Sequence, residues 1–145
     1  MNLILKENRA ISLDLRKLLN EHHVESGHEV LLDAQKDFFS YAFYDDEELV
    51  GGLVAEVKLG QFYIELLAVS KKHRSRQLGK RLMLIAEQKA KQLNCHHILV
   101  NTYSYQAPDF YLKVGFKELS RIVDFPLQGV DKLSFIKYLD TSAET

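Results

Sequence analysis

The stretch from Gln61 to Thr102 constrains the fold more than any other part of the chain. Residues 61–69, QFYIELLAV, are dense in β-branched and aromatic side chains and read as a strand. Residues 78–93 place Leu78, Leu82, Ile85, Ala86, Ala90 and Leu93 at spacings of three and four, the apolar stripe of a helix. Glu87 and Lys91, four residues apart, form a supporting pair on its solvent side. Ile98 to Thr102 reads as a buried strand. A strand, a helix and a strand in that order make a crossover, which implies a parallel step inside one sheet.

The flanking segments turn back instead of crossing over. Residues 38–44 are aromatic and strand-like, and the acidic run at Asp45 to Glu48 turns the chain. Residues 49–58 form the next strand, and Leu59-Gly60 turns it into 61–69, which makes an antiparallel meander. Residues 106–114 read as a short helix with Pro108 in its first turn, stopped by Gly115. Two strands come after it, near 116–124 and 132–139. At the other end, residues 1–6 are expected to form a short strand. Residues 9–24 are expected to form a helix with Ile11, Leu15, Leu18 and Leu19 on one face, and Glu25 to Asp33 carries no clear pattern. The expected fold is α/β: a mixed, mostly antiparallel sheet flanked by helices. With two prolines, seven glycines and no repeat or linker in 145 residues, the span 1–145 is expected to be a single domain.

Nineteen basic residues face twenty acidic ones, which argues against a nucleic-acid partner. The lone cysteine, Cys95, cannot form an intrachain disulfide and suits a reducing compartment. MNLILKENRA returns to charge too soon for a signal peptide or a membrane span, so the expected location is cytoplasmic, with no membrane partner. Against this even balance stands the segment HRSRQLGKRL, His73 to Leu82. From Lys71 to Arg81 come Lys71, Lys72, His73, Arg74, Arg76, Lys80 and Arg81, with no acid among them. They lie where a strand turns into a helix. The first N–H groups of a helix lack internal partners and carry partial positive charge, so such a junction binds anions. Arginines add charge-assisted bonds, and Gly79 permits close approach to the backbone. A solvated basic loop is the competing reading. Yet cations at this end oppose the helix dipole, and a dense cluster is easier to understand with an anion bound. Gly79-Lys80-Arg81 fails the P-loop pattern, and an isolated Gly79 fails the dinucleotide loop. The cluster is too compact for nucleic acid and suits a ligand with a few phosphates.

On these residues the chain resembles the GNAT N-acetyltransferase superfamily, and its small bacterial members in particular. The family signature is arginine or glutamine, two residues, glycine, one residue, then glycine or alanine. Here it reads Arg74-Ser75-Arg76-Gln77-Leu78-Gly79. A second pattern, a tyrosine four residues before Gly-Phe, reads FYLKVGF with Tyr111 as the tyrosine. LLAVS, Leu66 to Ser70, is similar to the strand before the pyrophosphate loop. The resemblance covers residues 49–139. Gln77 departs from the pattern by replacing its first glycine, and the loop is expected to avoid positive φ there.

The resemblance implies an acyl-CoA N-acyltransferase fold. It implies transfer of an acetyl group from acetyl-CoA to a primary amine by direct attack in a ternary complex. Tyr111 is then the general acid that protonates the leaving thiolate, since a phenol with a pKa of about 10 keeps its proton at neutral pH. A purely packing tyrosine is the alternative. Backbone groups of Leu67, Ala68 and Val69 would pair with pantetheine as an added strand does. Residues Arg74, Ser75, Arg76, Gln77, Leu78, Gly79 and Lys80 would hold the pyrophosphate, Asn101 the pantetheine arm and Lys113 the nucleotide end. Glu65, expected on one strand face with Tyr63, Leu67 and Val69, is the candidate base, with a solvent-facing carboxylate as the competing reading. The implied partner is a small-molecule or peptide amine, bound by Ser26 to Lys36 and Pro126 to Asp131. Glu29, Asp33, Asp124 and Asp131 are the candidate acids there. A homodimer through edge strands is open. A CoA-binding module without catalysis is the alternative function. No metal is expected: in NCHH, Asn94 to His97, adjacent strand residues should point to opposite faces. There is no G-x-S-x-G elbow, and Cys95 has no local signature of a catalytic thiol.

Overall fold

The computed structural model describes residues 3–31 and 34–140, with the side chains of Ser75 and Arg76 left out of the description. Asp33 and the tail 141–145 therefore lie outside the described residues. The chain forms two compact units, Met1–Gln35 and Lys36–Thr145.

In the first unit the expected strand over residues 1–6 is absent across its described part, because Lys6 and Glu7 come too early for an apolar alternation to form. A turn closed by Ala10 N–H donating to Asn8 Oδ1 (2.9 Å) leads into helix α1, Ile11–Glu25. His22 and His23 sit in its last turn, where cations suit the dipole. A 3-10 turn, Glu29–Leu31, comes next.

The second unit holds strands β1 (Asp37–Asp45), β2 (Glu48–Lys58), β3 (Gln61–Val69), β4 (His97–Tyr103), β5 (Lys117–Ile122) and β6 (Lys132–Tyr138). Helix α2 is Leu78–Gln92 and helix α3 is Pro108–Lys113. The helix expected over 106–114 starts two residues later, at the proline. The sheet order is β1-β2-β3-β4-β6-β5. Every neighbouring pair is antiparallel except β3 with β4, the crossover joined by α2. The β2–β3 hairpin turns at Leu59 (φ 53°) and Gly60 (φ 78°), the double positive φ that a two-residue hairpin needs.

One core holds this unit together. Leu82, Met83, Ala86 and Ala90 of α2 pack on Leu53, Ala55, Phe62, Ile64, Ile98 and Val100 of the sheet. Lys137 of β6 ties the helices together. Its Nζ donates to Glu87 of α2 (2.6 Å) and to the Val114 carbonyl that ends α3 (2.7 Å).

Two departures from regular pairing shape the middle of the sheet. Between Ile64 and Leu66 the β2–β3 register shifts, so Glu65 is an extra residue in a bulge. Beyond Ile64, β3 stops pairing with β4, whereas β4 stays paired with β6 through Tyr103. The sheet is therefore split at its centre.

Candidate active site

The split opens a cleft of about 1000 Å3. One wall is β3 from Ile64 to Val69, and the other is β4 from Val100 to Thr102. Arg74, Gln77, Gly79 and Lys80 close one end, and Phe110, Tyr111, Lys113 and Val114 come from α3. Most of the predicted site residues thus converge. Leu67, Ala68 and Val69 pair with Leu53, Gly52 and Gly51 on one side, and among the described residues no strand pairs with their other side. That open edge is where an extended ligand can add as a strand.

Glu65 lines this cleft and is exposed. The expected alternation around it does not hold. Leu67 lies opposite Leu53, and Ile64 lies opposite Ala55, both buried on the α2 side. The bulge adds one residue and shifts the parity, so Leu67 and Val69 share the face of Phe62 and Ile64, and Tyr63 lies on the other.

The basic segment folds as a 3-10 turn, Lys71–Arg76, followed by Gln77 in the left-handed conformation (φ 56°, ψ 31°). The expectation that the loop avoids positive φ is therefore wrong. The chain must reverse between the 3-10 turn and α2, and that geometry requires the left-handed region whichever residue occupies it. The first turn of α2 contains no acid, so its free N–H groups remain available to an anion. Gly79 keeps the ring of Phe110 close: an added Cβ would lie 3.4 Å from it.

The cations divide by direction. Lys72 pairs with Glu48 at 2.9 Å, and this hydrogen bond and charge hold the Glu48 carboxyl below its usual range. Arg81 lies 4.6 Å over the Phe43 ring. His73 is buried, its Nδ1 2.5 Å from Ser70 Oγ and its Nε2 3.9 Å from Asp45. These three secure the loop to the β1–β2 hairpin, while Arg74 and Lys80 line the cleft.

Tyr111 is only 7% exposed. Its ring stacks on Phe135 (5.6 Å) and meets Phe110 and Phe116 edge-on. Burial pushes its pKa up to about 12. A phenol in that state holds its proton at neutral pH; a thiolate, conjugate to a thiol of pKa about 8.5, is a weaker base than its phenoxide, so transfer to a departing sulfur runs uphill and has to be driven by the thiolate being released beside it.

Asn101 is held on both sides: its Nδ2 donates to Tyr63 Oη (3.1 Å), and Ser134 Oγ donates to its Oδ1. Sequence reasoning missed Tyr63 and Ser134 because they come from separate strands. It also missed Gln106, whose Oε1 accepts from Thr102 Oγ1 and Tyr103 N–H (both 2.9 Å) and fixes the turn beside the cleft. His96 and His97 do not point apart as expected. His96 precedes β4, and the two Nδ1 atoms lie 3.0 Å from each other. Among the described residues no group of three metal-ligating side chains forms. Burial raises the Cys95 thiol pKa, which leaves it inert as a nucleophile. No described helix is long and apolar enough to cross a membrane.

A split sheet, an open strand edge and a left-handed turn at a helix start fit an extended thioester ligand with a pyrophosphate. The profile of the Acetyltransferase (GNAT) domain matches residues 12–126. The chain belongs to the GNAT acetyltransferase family. It is 37% identical to the blasticidin-S acetyltransferase of Streptomyces morookaense over 103 residues, covering 70% of this chain and 75% of that one. An acetyltransferase from Bacillus cereus superposes with a TM-score of 0.76 at 25% identity, covering 95% of this chain and 98% of that one. A candidate streptothricin acetyltransferase from Bacillus anthracis, solved with acetyl coenzyme A, gives 0.64 at 25% identity over 72% of this chain and 64% of that one. The GNAT chain described here is thus an acetyl-CoA-dependent N-acetyltransferase, with the α/β acyltransferase fold expected of it.

Proposed function

We propose that this acetyltransferase acetylates a primary amine of a small molecule, with Tyr111 as general acid and Glu65 as the group that receives the amine proton, directly or through water. The observation that carries the reading is the meeting of Tyr111 and Glu65 in one cleft beside the open edge of β3. Acetyl-CoA supplies an activated acyl carbon when bound. Leu67, Ala68 and Val69 orient the pantetheine arm, and Asn101 adds a side-chain contact. The backbone of residues 74–80, with the Arg74 and Lys80 side chains, neutralises the pyrophosphate, and Lys113 faces the nucleotide end. Glu65 would take the proton of the substrate ammonium and so free the amine lone pair for attack on the acyl carbon, and Tyr111 Oη would give its proton to the sulfur as the C–S bond breaks.

The blasticidin-S and streptothricin relatives support a small-molecule acceptor over a peptide amino terminus. In this reading residues 1–145 work as one domain in the cytoplasm, and pairing through the exposed edge strand β5 is a route to a homodimer. The test is acetyl-CoA-dependent CoA release with blasticidin S, a streptothricin, polyamines, amino-sugar antibiotics, amino acids and a peptide. Stimulation by a small-molecule amine supports the reading. Saturable acetyl-CoA binding with no stimulation by any amine would replace it with a binding module.

A further inference from the structure

A second hollow, of about 350 Å3, lies beside the cleft and is lined by Glu56, Lys58, Leu59, Gln61, Tyr63 and His97. A hydrogen bond links its lining to that of the cleft. Tyr63 lines the hollow, Asn101 lines the cleft, and the two side chains are hydrogen-bonded at 3.1 Å. Of the charges that line the hollow, Glu56 pairs with Lys36 at 3.3 Å, and Lys58 makes no ion pair among the described residues. His97 Nε2 is already engaged by Gln61 Oε1 at 2.8 Å. What the hollow offers a ligand is therefore hydrogen bonding beside a single cation, Lys58.

The polarity of the chain of bonds leaves one donor unused. Ser134 Oγ donates to Asn101 Oδ1, so that oxygen is occupied. Asn101 Nδ2 is then the donor toward Tyr63, whose oxygen accepts. The Tyr63 hydroxyl proton has no acceptor among the described residues. It sits at the seam between the transfer cleft and the hollow.

The geometry points to Tyr63 as a specificity residue for the second substrate: its hydroxyl donates to an oxygen of an amine whose amino group reaches into the cleft. The substrate class is an amine with a hydrogen-bond-accepting oxygen, carbonyl or amide, a few bonds from the nitrogen. Asn101 and Ser134 are positioning residues that keep the Tyr63 proton turned toward that oxygen. This assignment rests on the small-molecule amine reading and sharpens it.

A pair of amines of similar basicity tests it: glycinamide, which carries the oxygen, and propargylamine, which lacks it. The wild type should favour glycinamide in kcat/KM by about five- to tenfold, the scale of one neutral hydrogen bond. Tyr63→Phe should lose that preference through the acceptor KM, with the acetyl-CoA KM and the thermal midpoint held. Ser134→Ala should weaken the preference without erasing it, which a residue that only supported the fold would not do. No preference in the wild type, or an equal preference in Tyr63→Phe, overturns the assignment. CoA release with other small amines, together with no discrimination within the pair, removes Tyr63 and leaves the acceptor class standing. Absence of CoA release with every small amine removes both.

Discussion

Tyr111 and Gln77 show how much a single position decides. The Tyr111 hydroxyl makes no hydrogen bond to a described side chain, so Tyr111→Phe removes a proton donor and little packing. Turnover should fall on the order of 10²-fold while the acetyl-CoA KM holds, read from steady-state kinetics. The same residue leaves a mark on stability. Its folded pKa of about 12 lies above the unfolded value of about 10. Between those values the unfolded chain has lost the proton and the folded chain keeps it. Tyr111 therefore stabilises fully below pH 10, and its contribution falls by roughly 1.4 kcal/mol per pH unit above it. Urea unfolding from pH 9 to 11 should show that slope in the wild type and a shallower one in Tyr111→Phe. Gln77 pays a conformational cost for its left-handed backbone. Gln77→Gly should raise the thermal midpoint by the equivalent of up to about 1 kcal/mol and keep acetyl-CoA binding. Gln77→Val, β-branched at positive φ, should lower both.

Strand β3 is the element on which the site depends. Along its first half it is a regular parallel neighbour of β4, and the Glu65 bulge then bends it away. Deleting Glu65 would leave Ile64 and Leu66 adjacent opposite Ala55 and Val54, a continuous ladder with every side chain on its present face. The variant should fold, because the core face is unchanged, and should lose saturable acetyl-CoA binding, because the open edge closes toward β4. Isothermal titration beside a thermal melt reads both. A variant that binds acetyl-CoA with wild-type affinity would mean that the bulge does not create the site. The elements themselves were legible in the sequence: α2, β3 and β4 emerge from apolar periodicity within a few residues. The bulge was not. An extra residue in a strand has no compositional signature, and it is the direct cause of the parity error at Leu67 and Val69.

Over the whole molecule, charge is sorted although the total is close to zero. Lys72, His73 and Arg81 face the β1–β2 hairpin, and Arg74 and Lys80 face the cleft. Arg74→Ala with Lys80→Ala should raise the acetyl-CoA Kd about tenfold or more and flatten its rise with salt, with a far smaller effect on acetyl-pantetheine, which lacks the pyrophosphate. Lys72→Ala, whose partner is the exposed Glu48, should leave acetyl-CoA affinity within twofold. Equal losses in the two variants would mean that the cluster acts as an undivided positive field.

By itself the sequence determined the crossover, the hairpins and the dense positive charge of residues 71–81 at a helix start, because periodicity, turn chemistry and charge runs are local properties. The motif spacing likewise picked out Tyr111 and the basic turn, which the fold brings to one cleft. Only the tertiary structure decided which cations line the cleft, what backbone Gln77 adopts, and that Tyr63, Asn101 and Ser134 form one chain of bonds. Those three residues stand on β3, β4 and β6, tens of positions apart. Only strand pairing brings them together, and pairing is set by the register of the whole sheet.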